Sequence, residues 1–230
     1  MSWIVKKTEQ KDLFKKNKSE NIFDEFILIS TPKCGGYSIE KILKENKYQL
    51  TRPEGLLMVG HYTFLDTYYR TFNSEYSDIK NFLIPIREPI SWRRSFYNYV
   101  KTNPKESGCY WASQLFNTIS FEEYIELLVD QGFNDFPTID MLPFISMGSY
   151  ITNVNLKTEP INDITIYLYD MTKGFYELFK NHFNIELKDE VTENISYYEE
   201  ELEISKSLKE ELYKFDNIAD IDLKTYKVLT

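Results

Sequence analysis

Cysteine and histidine are both scarce in this chain, which has two of each among 230 residues. Two cysteines, Cys34 and Cys109, are too few for a disulfide framework. Neither they nor the two histidines, His61 and His182, have the spacing of a Cys/His metal site. The composition therefore argues against structural zinc, and we expect no bound metal.

Long apolar runs are also missing. No stretch approaches the roughly 18 consecutive apolar residues of a membrane span. The apolar run near the first methionine is too short for a signal peptide. We therefore expect a soluble cytoplasmic protein that does not enter a membrane.

Positive charge is in short supply as well. The chain carries 27 Lys and Arg against 36 Asp and Glu, a formal net charge of −9. This balance argues against a general binder of nucleic acids or of heparin-like polyanions, which need a broad basic surface. It leaves room for one local basic pocket.

Apolar residues are plentiful, at 42% of the chain, and aromatic residues make up 16%. A chain of this length and composition can bury the core of one α/β domain but is short for two. No repeat or low-complexity linker divides it, so we expect a single domain over residues 1–230. Residues 1–24 are predicted to be a polar, partly helical lead-in.

Apolar runs that alternate with helical patterns predict a mainly parallel sheet flanked by helices. We expect strands at residues 26–30, 56–59, 82–86 and 164–168, the third irregular or ending at Pro85 because proline lacks a ladder donor. Helices are predicted after Gly36, after Glu88-Pro89, around 175–179, and at two capping boxes that begin at Ser120 and Ser207. His182 is predicted to cap a helix or lie on the surface.

The most informative segment is Ser30-Thr-Pro-Lys-Cys-Gly-Gly-Tyr-Ser38. A strand that turns over glycines into a helix N-terminus gathers backbone N–H groups and partial positive charge, and so suits an anion. It is not a Walker A motif, because Lys33 precedes Gly35 and Gly36 instead of following them. A tight structural turn with a surface lysine is the alternative interpretation.

Lys33, His61 and Arg87 each come within three residues after the end of a predicted strand. The carboxyl ends of parallel strands meet at one edge of a sheet, where ligands bind in α/β folds. We therefore expect these three side chains to contribute to a single site.

Two motifs together, Lys-x-Gly-Gly-x-Ser at 33–38 and Arg-Glu-Pro at 87–89 with Ser95 eight residues after the arginine, resemble the sulfotransferases that use 3′-phosphoadenosine 5′-phosphosulfate. The closer likeness is to the branch with the carbohydrate 2-O-sulfotransferases. Gly60-His-Tyr-Thr-Phe-Leu65 is similar to the Gly-His-x-Ser-Phe-Leu stretch of that branch.

The resemblance implies a P-loop-like three-layer fold, with residues 26–100 as the cofactor-binding core and 101–230 as acceptor-side helices and the remaining sheet. It implies that His61 is the general base and that Lys33 stabilises the leaving oxygen. The Arg87 and Ser95 side chains would bind the 3′-phosphate of the donor and of the product, adenosine 3′,5′-bisphosphate. The 5′-phosphosulfate would lie on the loop Lys33, Cys34, Gly35, Gly36, Tyr37 and Ser38.

The chain also departs from the family pattern. Tyr37 stands where the family usually has threonine, and Trp92 where relatives often have arginine, although Arg93 and Arg94 follow it. The acidic composition makes heparan-type acceptors doubtful. The aromatic residues after His61 either line an acceptor site or belong to the core.

We expect the acceptor to be a hydroxyl of a small molecule or carbohydrate. The sequence does not indicate an oligomeric state. Two alternatives remain open at this point. One is a P-loop phosphotransferase that uses ATP, and the other is a non-catalytic nucleotide-binding protein of the same fold.

Overall fold

The structure is a computed structural model that describes residues 2–7, 23–51, 78–131, 143–144, 146–147, 165–171, 174–187, 203–216 and 226–229. The chain divides into two compact units. The first unit comprises Met1–Ile86, Asn155–Asn194 and Asp222–Thr230, and the second comprises Arg87–Val154 and Ile195–Ile221. The single sulfotransferase domain over residues 1–230 stays a prediction.

The first unit contains a mixed sheet with six strands in the described residues. The strands are β1 Ser2–Lys7, β2 Glu25–Ile29, β3 Tyr48–Thr51, β4 Asn81–Ile86, β5 Thr165–Asp170 and β6 Tyr226–Val228, in the spatial order β3-β1-β2-β4-β5-β6. Strands β2, β4, β5 and β6 run parallel, and β1 runs antiparallel to both of its neighbours. The strands predicted at 26–30, 82–86 and 164–168 are confirmed, and the one predicted at 56–59 lies outside the described residues.

Strand β1 corrects the prediction that the first residues belong to a polar lead-in. Trp3, Ile4 and Val5 are all buried, and Ile4 lies opposite both Ile27 of β2 and Thr51 of β3. Three apolar residues before a lysine pair are too short a run to indicate a strand. Pairing with the two neighbouring strands stabilises β1, although its local sequence does not indicate a strand. Because β1 is antiparallel to both neighbours, the sheet is mixed.

Pro85 does not end strand β4. The proline lies opposite Tyr169 of β5, and the strand continues to Ile86. On its other side, β4 pairs with β2 through Phe82, opposite Ile27, and Leu83, opposite Leu28. Pro85 lies beyond these residues, so its missing N–H does not interrupt the pairing of β4 with β2.

The described helices are α1 Gly36–Glu45, α2 Pro89–Thr102, α3 Pro104–Ser107, α4 Tyr110–Phe116, α5 Phe121–Gln131, α6 Gly174–Leu178 and α7 Lys206–Phe215, and a π-helical turn, Phe179–Phe183, continues α6. Helix α1 and the α6 region flank the sheet of the first unit. They share one apolar core with alternate residues of the strands, among them Phe26 and Leu28 of β2. This arrangement confirms an α/β fold with a mixed sheet flanked by helices.

In the second unit, the capping box predicted at Ser120 is confirmed. The N–H of Glu123 donates to Ser120 Oγ at 3.2 Å, and the N–H of Ser120 donates to Glu123 Oε2 at 2.6 Å. The box predicted at Ser207 is wrong, because α7 begins at Lys206 and its N-cap is Ser205, whose Oγ accepts from the N–H of Leu208 at 3.4 Å. Ser205 has the extended backbone of an N-cap, whereas Ser207 is already helical.

Within the described part of the chain, no helix has both the length and the apolar character needed to cross a membrane.

Candidate functional site

The turn between β2 and α1 holds the first group of predicted site residues. The N–H of Cys34 donates to the carbonyl of Thr31 at 3.2 Å, which closes a tight turn directly after β2. Within it, Lys33 has a φ of 61°, and Gly35 has a φ of 72° as the N-cap of α1. A left-handed backbone is ordinary for glycine but costs roughly 1–2 kcal/mol for a residue with a side chain. Lys33 is therefore held in an unfavourable conformation.

Both glycines of the turn have packing reasons to lack a side chain. A Cβ atom on Gly36 would lie 1.7 Å from Ser30 Oγ, and one on Gly35 would lie 2.7 Å from Cζ of Phe175. Helix α1 thus starts almost in contact with the end of β2. The glycine pair is explained by close packing, whether or not a ligand binds.

The N-cap of α1 is Gly35, which has no side chain to cap the helix, and the first turn of α1 contains no acidic residue. The other described helices of ten or more residues are capped by a side chain: α2 by Glu88, α5 by Ser120 and α7 by Ser205. Backbone N–H groups at an uncapped N-terminus and the helix dipole favour a negative charge there. Among these helices, α1 is therefore the one suited to receive an anion.

The side chains of this turn differ in how accessible they are. Lys33 is half-buried, Cys34 and Ser38 are buried, and Tyr37 is 63% exposed. A ligand above the turn would meet Cys34 through its backbone only, because its side chain lies in the interior. Tyr37 is neither part of the core nor an obstacle at the base of the turn.

A second group of predicted residues lies at the start of the second unit. Arg87 directly follows β4 and is half-buried. Ser95, on α2, is 3% exposed. Within the described residues, neither side chain has a hydrogen-bond or ion-pair partner. A half-buried guanidinium and a nearly buried hydroxyl without protein partners are both able to bind an anion.

Glu88, between Arg87 and the first helical residue Pro89, caps helix α2. Its carboxylate accepts from the N–H of Ile90 at 3.1 Å and from that of Ser91 at 2.7 Å, and the hydroxyl of Tyr213 on α7 donates to Oε1. Partial burial acts to raise the pKa of Glu88, but these hydrogen bonds outweigh it and hold that pKa below its usual value. Burial and the bond to Glu88 raise the pKa of Tyr213 to about 12.

Arg93, which follows Trp92 in α2, is not available to a ligand. It is completely buried, and its Nε and Nη2 donate to the two carboxylate oxygens of Asp216 at 2.9 and 2.6 Å. Nη1 donates to the carbonyl of Pro143 at 2.7 Å. Burial acts to lower the pKa of Arg93, but the Asp216 carboxylate outweighs it and raises that pKa. This ion pair is part of the second unit's interior.

His61, the predicted base, lies outside the described residues, as do the aromatic residues that follow it. The other histidine, His182, is half-buried, and its ring packs edge-on to those of Phe23 and Tyr169. His182 lies in the last turn of the π-helical segment, and the interpretation that it caps a helix or lies on the surface stays a prediction. Its ring belongs to an aromatic cluster of the first unit.

Lys33 to Ser38 lie together in one turn of the first unit. Arg87 and Ser95 both belong to the second unit, where they are eight positions apart in the sequence. In the described residues, no group of three or more His, Cys, Asp or Glu side chains could hold a metal ion. No protein-family model, curated protein or solved structure matches this chain.

Proposed function

We propose that this protein is a cytoplasmic sulfotransferase with a P-loop-like fold. It would move the sulfuryl group from 3′-phosphoadenosine 5′-phosphosulfate to a hydroxyl of a small molecule or carbohydrate. The observation that carries the proposal is the N-terminus of α1 with a glycine as its N-cap, reached from a parallel strand through a turn with a lysine before two glycines. That arrangement suits a phosphate-like anion, and the lysine's position argues against ATP.

The residues of the turn suit the 5′-phosphosulfate. The α1 amides and Ser38 would hold its oxygens, and Lys33 would add a full positive charge beside them. Arg87 and Ser95 would bind the 3′-phosphate, since an arginine offers two parallel donors to a phosphate and the serine adds a hydroxyl. The lack of protein partners for these two side chains among the described residues supports this role.

In the transfer, the acceptor oxygen forms a bond to sulfur as the bond between sulfur and the bridging oxygen breaks. His61 would take the proton of the acceptor hydroxyl, a role that suits a neutral imidazole. The electron pair of the broken bond remains on the bridging oxygen, whose negative charge Lys33 would stabilise.

Ligand titration and a transfer assay test the proposal. The unmodified protein should bind adenosine 3′,5′-bisphosphate more tightly than ATP with Mg²⁺, and Lys33→Ala or Arg87→Ala should weaken that binding at least tenfold, because each removes a charged contact. His61→Ala should abolish transfer while leaving the bisphosphate affinity nearly unchanged.

Each alternative predicts a different outcome. Preference for ATP with Mg²⁺ would indicate a phosphotransferase. Tight binding of the bisphosphate without transfer to any acceptor in a broad panel would indicate a non-catalytic binding protein. Normal transfer by His61→Ala would overturn the role of that histidine.

A further inference from the structure

Arg87 and Glu88 are adjacent and oppositely charged, yet the carboxylate of Glu88 is engaged elsewhere. Its two oxygens accept from the N–H groups of Ile90 and Ser91 and from the hydroxyl of Tyr213. Over the described residues, Arg87 has no ion pair, either with Glu88 or with any other carboxylate. Two neighbouring charges that could neutralise one another are thus kept apart.

The N-terminus of α2 is consequently closed to a foreign anion. The Glu88 carboxylate already occupies the first free N–H groups of this helix, where a phosphate would otherwise bind. The positive charge at this end of β4 is therefore that of the Arg87 side chain, and it can act on a ligand only if Glu88 does not neutralise it.

We propose that Tyr213 and the first amides of α2 sequester the Glu88 carboxylate and thereby keep Arg87 available to the 3′-phosphate of the nucleotide. This inference rests on the proposed function, because it takes the ligand of Arg87 from it. Tyr213 is a positioning residue here, acting on the ligand through Glu88 and Arg87. It comes from α7, and its partner lies 125 residues earlier in the chain.

Removing the Tyr213 hydroxyl should weaken binding of one part of the nucleotide. In Tyr213→Phe, Oε1 of Glu88 loses a donor, and the carboxylate can turn to the adjacent guanidinium, with which a bound phosphate must then compete. We expect the Kd of adenosine 3′,5′-bisphosphate to rise about tenfold, the loss of one charged hydrogen bond. The Kd of adenosine 5′-phosphate, which lacks the 3′-phosphate, should not change.

A second substitution separates this role from a purely structural one. In the double variant Glu88→Gln/Tyr213→Phe, the glutamine oxygen can still cap α2 but has no charge with which to neutralise Arg87. The affinity for the bisphosphate should therefore return to within about threefold of that of the unmodified protein. Loss of a structural contact would weaken both nucleotides and would not be rescued by a second change. Tyr110→Phe is the matched control, because the exposed Tyr110 hydroxyl makes no hydrogen bond to the described residues.

Isothermal titration of both nucleotides into these four proteins gives a decision at each step. If the unmodified protein binds no bisphosphate, the proposed function fails and this inference fails with it. If the unmodified protein binds but Tyr213→Phe binds equally well, or if the double variant stays as weak as the single one, the sequestering role is wrong and the proposed function stands. Selective loss in Tyr213→Phe with rescue by Glu88→Gln supports it.

Discussion

Lys33 has a backbone conformation that the turn alone would assign to glycine. Its φ of 61° repeats the left-handed geometry of Gly35 two residues later, and Gly35 carries no side chain to resist it. The glycine pair is explained by the close approach of Ser30 and Phe175 and so says little about a ligand. A lysine at an unfavourable φ costs free energy that a glycine at the same position would not cost. At this scale, the identity of residue 33 therefore affects the turn in a way that the glycine pair does not.

Lys33→Gly should therefore make the protein more stable and less able to bind. Glycine adopts a positive φ without steric cost, although it also loses more conformational entropy on folding, so we expect a net gain of about 0.5–1 kcal/mol in the free energy of unfolding. Affinity for adenosine 3′,5′-bisphosphate should fall at least tenfold because the charged contact is lost. Urea denaturation and nucleotide titration measure the two effects.

Lys33→Ala serves as the control for that substitution. Alanine keeps the Cβ atom and hence the strain, so its stability should stay within about 0.5 kcal/mol of the unmodified protein while its binding falls as in the glycine variant. A glycine variant that is less stable than the alanine variant would show that the lysine side chain, and not the backbone, determines stability at this position.

Elements with strong local signals were predictable from the sequence. The buried strands β2, β4 and β5 are continuous apolar runs, and α1 and α2 follow them with helical spacing and, for α2, a proline in the first turn. Strand β1 was not predictable, because Trp3 to Val5 form a strand only by pairing with β2 and β3. The cap of α7 was misplaced because the Ser-x-x-Glu pattern of Ser207 and Glu210 favours Ser207, whereas the extended backbone of Ser205 makes that residue the N-cap.

Alanine substitution of the two serines tests the assignment of this cap. Ser205→Ala removes the acceptor of the Leu208 N–H and should lower the free energy of unfolding by about 1 kcal/mol. Ser207 is exposed and already helical, so Ser207→Ala should change the free energy of unfolding by no more than about 0.5 kcal/mol. Urea denaturation of both variants at one pH gives the comparison. A larger loss of stability in Ser207→Ala than in Ser205→Ala would show that Ser207 is the N-cap, as the sequence pattern predicts.

At the scale of the whole molecule, the least predictable feature is the ion pair that links Arg93 of α2 to Asp216 at the end of α7, 123 residues later. Asp216 also accepts from the N–H of Met147 at 3.0 Å, and Arg93 donates to the carbonyl of Pro143. One buried pair thus connects three distant segments of the second unit. No local pattern around either residue could indicate this, since each charge looks like ordinary helix surface until its partner is known. The same contacts make the Arg93 guanidinium unavailable to a ligand.

A double-mutant cycle across this pair measures how far the second unit depends on it. Arg93→Met leaves the buried Asp216 without its counter-charge, and Asp216→Asn does the same to Arg93, so each change should lower the free energy of unfolding by about 3–5 kcal/mol. The double variant has no unpaired charge in the interior, and the asparagine oxygen can still accept from Met147. Its loss should therefore be smaller than the sum of the two single losses by about 2 kcal/mol or more. Guanidinium denaturation followed by circular dichroism provides the four values. Additive losses would mean that the two side chains stabilise the unit through their separate contacts with the 143–147 segment, and the pair would then not be the link between α2 and α7.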